Sequence, residues 1–226
     1  GFSANIVAGT NGEVSVELGD ELGANSTGEV TVFGRIQTVD NDIYLDPPAT
    51  ITLKSTARLE TTGFGGIGLE GGSIVMEDGA TLTTNSGSVS IVALDGDVTL
   101  SQINVISDLY GGDVFVFAPN GAIIDGGDTD SLGYGSADIN GSDGFVYYNL
   151  EVSFIAANGI GETMGNGAVE IQATEVDAYT DNANQYLALG MNTAAIWMHA
   201  GTGFVSLSSL GDVQDDDGMY DIIAGT

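Results

Sequence analysis

Short stretches in which apolar and polar residues alternate recur along the chain, and glycine precedes most of them. Gly28-Glu-Val-Thr-Val-Phe33 and Gly112-Asp-Val-Phe-Val-Phe117 are two examples, both rich in the residues that pleated sheets favour. A period of two is typical of a strand with one buried face, and we expect glycine to supply the positive φ of tight corners. These stretches begin at Gly12, Gly28, Ala49, Gly72, Gly87, Gly96, Gly112, Gly144, Gly167 and Gly203.

The spacing of the stretches indicates how the strands are arranged. Most starts lie about 20 residues apart, and several intervals hold a second short strand, such as Gly121-Ala-Ile-Ile124. A coil of roughly 20 residues with two or three strands is typical of a solenoid. Asn-Gly pairs, which mark hairpins, are too few for a sandwich built throughout from hairpins. The sequence therefore predicts an all-β fold, a right-handed parallel β-helix, with a β-sandwich as the alternative.

The same alternation predicts which side chains face the core. In a β-helix these side chains stack in rows, with about 4.8 Å between successive coils. The segment from Glu175 to Gly190 is the best helical candidate, but its fit to a period of 3.6 is loose, and we expect a corner followed by a strand at Gln185–Leu189. The predicted inward residues are Val14, Val16, Val30, Val32, Ile51, Leu53, Val89, Ile91, Val114, Val116, Val169, Ile171, Val205 and Leu207.

The chain is predicted to be a single β-helical segment, residues 1–226, of a larger or repeating protein. Two stretches rich in glycine, aspartate and serine, near 125–144 and 208–220, are expected to be loops that leave the helix. Asn5-Ile-Val-Ala-Gly-Thr10 is echoed by Asp221-Ile-Ile-Ala-Gly-Thr226. The echo fits either a tandem array or two similar coils of one solenoid.

The charge balance restricts the possible partners. There are 32 acidic residues against Lys54, Arg35 and Arg58, and the formal net charge is −29. Such a surface repels nucleic acid and anionic lipid, and no apolar run approaches the roughly 20 residues of a membrane-spanning helix. The chain has no cysteine, which excludes a disulfide scaffold. We expect an extracellular or cell-surface protein that neither binds nucleic acid nor inserts into a membrane.

Clusters of aspartate suggest calcium as a cofactor, because hard cations bind carboxylate and carbonyl oxygens on flexible loops. The first predicted group of ligands lies on a glycine-rich turn and comprises Asp125, Asp128 and Asp130. The second comprises Asp212, Asp215, Asp216 and Asp217. Neither has the spacing of a known calcium loop, so a hydrated acidic turn remains the alternative.

Catalytic constellations are scarce. His199 is the single histidine, and alternation in Ala195-Ile-Trp-Met-His-Ala200 places it beside Trp197 on the face opposite Ile196. Lyases that act on acidic sugars need Arg or Lys, and none follows Arg58. Glu175 and Asp177 share a face, but catalytic carboxylates need unequal pKa values, and nothing indicates a dry pocket. We therefore expect no enzyme, and a carbohydrate-binding or carbohydrate-hydrolysing β-helix is the alternative.

One stretch of the chain resembles a known class of proteins. Gly112-Asp-Val-Phe-Val-Phe-Ala-Pro-Asn-Gly-Ala-Ile-Ile-Asp-Gly-Gly-Asp128 is similar to the coils of giant repetitive bacterial surface proteins, the filamentous-haemagglutinin-like β-helical adhesins. Ile155–Gly161 and Ala168–Ala173 share this resemblance. It implies a right-handed parallel β-helix, export to the cell surface, and an adhesive or scaffold role. The expected partners are neighbouring repeats or further copies stacked end to end, with surface glycans as another candidate.

Overall fold

The structure is a computed structural model that describes residues 6–7, 14–17, 28–47, 49–106, 112–126, 137–141, 150–162, 167–190, 195–213 and 222–224. Within these ranges the regular elements are all β-strands, and none is a helix that could cross a membrane. The strands are β1 Ile6–Val7, β2 Val14–Glu17, β3 Val30–Val32, β4 Arg35–Val39, β5 Ile43–Asp46, β6 Thr50–Leu53, β7 Arg58–Thr62, β8 Ile67–Gly71, β9 Ser73–Met76, β10 Thr81–Thr84, β11 Val89–Ala93, β12 Val98–Leu100, β13 Gln102–Val105, β14 Asp113–Ala118, β15 Ile123–Asp125, β16 Ile139–Asn140, β17 Glu151–Ala156, β18 Val169–Gln172, β19 Glu175–Thr180, β20 Gln185–Leu189, β21 Ala195–His199, β22 Val205–Ser209 and β23 Ile222–Ile223.

The strands form three parallel sheets that the chain visits in turn as far as β15, after which the named strands alternate between the first and second sheets. The first sheet has the order β1-β4-β7-β10-β13-β16-β18-β20-β22, and the second has the order β2-β5-β8-β11-β14-β17-β19-β21-β23. The third sheet is shorter, with the order β15-β12-β9-β6-β3. Each pairing between the named strands is parallel, so the chain is a β-solenoid, as expected for a parallel β-helix, and not the alternative sandwich.

The register confirms the predicted period. Arg35 pairs with Arg58, and Arg58 with Thr81, a step of 23 residues each time. The step lengthens to 36 residues where Ile103 pairs with Ile139. That longer step contains much of the predicted loop at 125–144. Within the loop, β16 returns to the first sheet between β13 and β18, and residues 127–136 and 142–149 lie outside the described residues.

The second predicted loop and the sequence echo are described in part. In the range 208–220, β22 continues to Ser209, and residues 214–220 lie outside the described residues. Ile6 lies in β1 of the first sheet, whereas Ile222 lies in β23 of the second. The two similar segments therefore do not occupy equivalent positions in successive coils.

The core is a set of stacked apolar rows between the sheets. Of the predicted inward residues, eight are buried, and four at the ends of the solenoid are partly buried against the same core. The burial of Val14 and Val16 is not described. The partly buried four are Val30, Val32, Val205 and Leu207.

Glycine precedes some strands because the backbones of neighbouring coils approach closely there, and not because of the predicted positive φ. Gly87 and Gly112 stack in one column at the corner before the second sheet, and neither has a positive φ. A Cβ added to Gly87 would lie 2.0 Å from the carbonyl oxygen of Gly65, in the coil next to it. These glycines are required because backbones approach closely, whereas the positive φ is found at other glycines, such as Gly63 and Gly201.

Buried threonines stabilise the corners between the first and second sheets. Thr38, Thr61 and Thr84 stand in equivalent positions at the ends of β4, β7 and β10. The hydroxyl of Thr84 donates to the carbonyl oxygen of Gly87 at 2.6 Å, and that of Thr61 donates to Gly65. Each of these two hydroxyls supplies a hydrogen-bond donor to a corner carbonyl.

Candidate functional site

Asp125 occupies an unusual position for a carboxylate. It pairs in register with Leu100 in the third sheet, and the same column contains Met76 and Leu53, both fully buried. Asp125 itself is 9% exposed. A side chain that alternation assigns to the core is therefore acidic, and such a carboxylate needs a proton or an opposite charge nearby.

Two more acidic side chains are buried in the first sheet. Ile139 pairs with Ile171, which sets Asp138 opposite Glu170, and the amide of Glu170 donates to Oδ2 of Asp138 at 3.1 Å. Asp138 is 0% exposed and Glu170 is 2% exposed. Both faces of β16 and β18 are buried, although the sequence alternation places Glu170 on the outward face. The side chain of Glu170 is therefore shielded from water.

These three carboxyl groups converge. In the described part of the chain, Asp125, Asp138 and Glu170 each offer one oxygen, and the three oxygens lie within 4.8 Å of one another. Two carboxylates at that separation repel each other by about 3 kcal/mol at an effective dielectric constant of about 20. The cluster therefore requires neutralisation by protons or by a cation.

The chain's own basic side chains are engaged elsewhere. Arg35 forms an ion pair with Glu60, and Lys54 forms one with Glu77. The hydrogen bond from Lys54 holds the pKa of Glu77 below its usual value. Arg58 donates to backbone carbonyl oxygens, among them that of Ala57 at 2.7 Å. The partners given for these three side chains thus lie in coils that precede the cluster.

The predicted calcium ligands that the structure describes lie in different environments. Asp125 belongs to the buried cluster, whereas Asp212 is exposed. The other predicted ligands, Asp128, Asp130, Asp215, Asp216 and Asp217, lie outside the described residues. Sequence reasoning missed Asp138 and Glu170. The available signal for this cluster was Asp125, because alternation places its side chain on the same inward face as that of Ile123. Nothing in the sequence pattern marks Glu170 as buried.

Aromatic side chains cover part of the outer face of the second sheet. Tyr179 stacks on Trp197 with ring centroids 6.2 Å apart and an interplanar angle of 6°. His199 packs against both rings, with its centroid 5.0 Å from that of Tyr179 and 5.9 Å from that of Trp197. The predicted alternation is confirmed, since Ile196 and Met198 face the core. We call Tyr179, Trp197 and His199 the aromatic face.

An acidic ladder runs beside the aromatic face. Asp113, Glu151 and Glu175 pair in register on three successive strands of the second sheet, and all three are exposed. Partial desolvation, followed by repulsion from Glu175 and Asp113, raises the pKa of Glu151 above its usual value. Asp177, on the same strand as Glu175, pairs in register with Trp197 and is half-buried. The predicted pair Glu175 and Asp177 thus lies on an open outer face.

Tyr186 lies on the first sheet, apart from the aromatic face. Its ring meets that of Phe204 edge to face at a centroid distance of 5.3 Å. Tyr147 and Tyr148 lie outside the described residues.

Comparison with known proteins adds no function by similarity. No protein-family model, curated protein or solved structure matches this chain. The functional argument therefore depends on the fold, the buried acidic cluster, the aromatic face and the two ends of the solenoid.

Proposed function

We propose that the chain is a structural and adhesive β-helical segment of an extracellular surface or filament protein, and that it stacks end to end. The observation that carries this proposal is the continuity of the parallel register. Among the described residues, β1 and β2 are the last strands of their sheets at one end, and β22 and β23 are the last at the other. An open parallel edge can pair with another strand of the same kind.

Apolar side chains at the second end support stacking. Leu207 pairs in register with Leu187, which is fully buried, yet Leu207 itself is only partly buried. Leu210 is 74% exposed, and Ile222 and Ile223 are each about half exposed. Another coil placed on this end would continue the core rows at Leu207 and at Ile222, which pairs in register with the buried Met198. The occupant we propose is a second copy of this chain, which offers the complementary edge.

The acidic surface supports an extracellular location without contact with nucleic acid or membrane. A net charge of −29 keeps a long rod soluble and repels polyanions. The absence of cysteine agrees with a rod that is stabilised by stacking rather than by cross-links. We also propose a non-enzymatic role, and the open position of the predicted pair Glu175 and Asp177 supports it, since a general acid depends on a desolvated pocket to hold its proton.

Light scattering and electron microscopy of the purified chain test the end-to-end proposal. We expect concentration-dependent growth along one axis, and a strong reduction in the double variant Leu210→Lys and Ile222→Lys. Phe64→Lys is the matched control, because Phe64 is 70% exposed but lies at the turn between β7 and β8. A chain that stays monomeric at high concentration, or growth that Phe64→Lys blocks equally, would refute end-to-end stacking.

The aromatic face supports a second candidate function, the binding of surface glycans. Flat rings of Tyr and Trp offer apolar area to the faces of sugar rings, and the nearby carboxylate of Asp177 can accept hydrogen bonds from sugar hydroxyls. Glycan-array binding tests this candidate. Trp197→Ala should abolish any binding, whereas Phe33→Ala, which removes an exposed aromatic ring from another part of the surface, should not. An array without signal would exclude it.

A further inference from the structure

We propose that Asp125, Asp138 and Glu170 bind one divalent cation of the calcium class at the junction of the third and first sheets. This inference does not depend on the proposed structural role, because the residues that carry it lie away from both ends of the solenoid and from the aromatic face.

The geometry of the three oxygens suits a shared cation. They lie within 4.8 Å of one another. Calcium binds oxygen at about 2.3–2.6 Å, so two oxygens on opposite sides of one ion are about 5 Å apart. Three carboxylates, some of them bidentate, together with backbone carbonyls can supply the six to eight oxygens that calcium takes.

Unmet acceptor capacity provides a second, independent indication. Asp138 and Glu170 have further interactions within the molecule. Even so, Oδ1 of Asp138 and Oε2 of Glu170 are buried atoms that accept no hydrogen bond. Buried carboxylate oxygens without a donor are costly unless a proton or a metal ion meets them. Arg35, Lys54 and Arg58 have their partners in other coils, so a cation from solution is the source of positive charge that we propose for these two oxygens.

The chemistry of the donor set selects the class of metal. The chain has no cysteine, and its one histidine packs against Tyr179 on the second sheet. Soft or borderline metals such as zinc favour sulfur and nitrogen ligands, whereas a set of carboxylates favours calcium, magnesium or manganese. Magnesium keeps several waters in a strict octahedron, so a buried site whose donors are all from the protein suits calcium better.

The position of the site indicates what the ion does. Asp125 and Asp138 flank residues 127–136, which lie outside the described residues, and Glu170 belongs to the following coil. An ion bound to all three residues would join β15, β16 and β18 across the place where the register step is 36 residues. The ion would hold these strands in register across that longer step, and its binding to the folded state alone would raise stability.

Metal retention tests the proposal on the whole chain. The protein is stripped with a chelator, loaded with calcium, desalted, and assayed by atomic emission for metal per chain. We expect one retained calcium in the wild type and none in the double variant Asp138→Asn and Glu170→Gln, whose side chains keep their shape. Asp212→Asn is the matched control, since it removes an exposed carboxylate and should retain the ion.

Thermal unfolding with calcium and then with magnesium gives a second measurement that does not depend on the variant folding. Calcium should raise the midpoint of the wild type by several degrees, and equimolar magnesium should raise it much less. Wild-type protein that retains no calcium and shows no shift would overturn the proposal and leave protons as the neutralising charge. Equal retention by the folded double variant would also overturn it, since the ions would then be bound by exposed acids.

Discussion

Asp125 pairs in register with Leu100, so that a carboxylate continues a column whose other members are Val32, Leu53, Met76 and Leu100. The two side chains have the same branched outline, and they differ in charge. Replacing Asp125 with leucine therefore measures the contribution of packing separately from that of ion binding.

Asp125→Leu should stabilise the chain when a chelator is present, because a buried carboxylate is replaced by the residue that the column already contains. We expect the free energy of unfolding in urea to rise by at least about 1 kcal/mol. The calcium-dependent gain should disappear in the same variant. Asp95→Leu, at an exposed position, is the control and should change little. A loss of stability in chelator would show that the column cannot accept an apolar side chain there.

Glu151→Gln should stabilise the chain at neutral pH. The folded-state pKa of Glu151 is raised, so the folded state holds the proton more tightly than the unfolded chain. The unfolding free energy of the wild type therefore falls as the pH rises from the ordinary pKa of glutamate through the raised one. The ladder is exposed and screened, so the gain should stay below about 1 kcal/mol.

Urea unfolding between about pH 4 and pH 7, the range that covers a raised glutamate pKa, measures this effect. In the Glu151→Gln variant, the free energy of unfolding should decrease less steeply as the pH rises. Glu29→Gln removes the same charge from an exposed residue outside the ladder, and should leave the slope unchanged. Parallel curves for wild type and Glu151→Gln would count against repulsion within the ladder.

Thr84→Val should destabilise the chain by about 1–2 kcal/mol, because the carbonyl oxygen of Gly87 loses its hydroxyl donor inside the protein. Valine preserves the shape, so packing should change little. Thr83→Val, on the outward face of the same strand, should be close to neutral. Chemical denaturation of the two variants provides the measurement, and equal values for both would argue against a stabilising corner hydroxyl.

Gly87→Ala should destabilise the chain by about 2 kcal/mol or more, because its Cβ would overlap the backbone of Gly65 in the neighbouring coil. Gly72→Ala provides a graded comparison, since the nearest atom there, the carbonyl oxygen of Ala49, is 3.2 Å away. Thermal melts should rank the wild type first, Gly72→Ala second and Gly87→Ala last. The reverse order of the two variants would mean that close approach does not explain these glycines.

Much of the solenoid could be predicted from alternation alone. Stretches that began with glycine, such as those at Gly87 and Gly112, correspond to β11 and β14. Strands with glycine inside them were harder to recognise, and β8 shows why. Its sequence Ile67-Gly-Leu-Glu-Gly71 contains Gly68, where a Cβ would lie 2.5 Å from the ring of Tyr44 in the next coil. That glycine follows from a contact between coils, which local propensity does not contain.

The candidate cation site could be predicted only in part, for a similar reason. Asp125 was recognisable because it belongs to a cluster of aspartates in the sequence. Alternation also places its side chain on the inward face of β15. Glu170 alternates with Val169 and Ile171 like any solvated residue, and its burial depends on what lies over the outer face of β18. Its nearness to Asp138 depends on a register step of 32 residues between Ile139 and Ile171, which no local pattern specifies.

The parallel sheets also determine how the molecule responds to a pulling force. Hydrogen bonds between coils run along the solenoid axis, so tension between the ends loads them one coil at a time, as in unzipping, and not all together as in shear. A coil adds about 4.8 Å to the length while folded, but its roughly 23 residues span about 75 Å when extended. Each coil that peels away thus lengthens the chain about fifteenfold at that point. A surface rod of this kind would absorb a pulling force by unfolding one coil at a time from its ends.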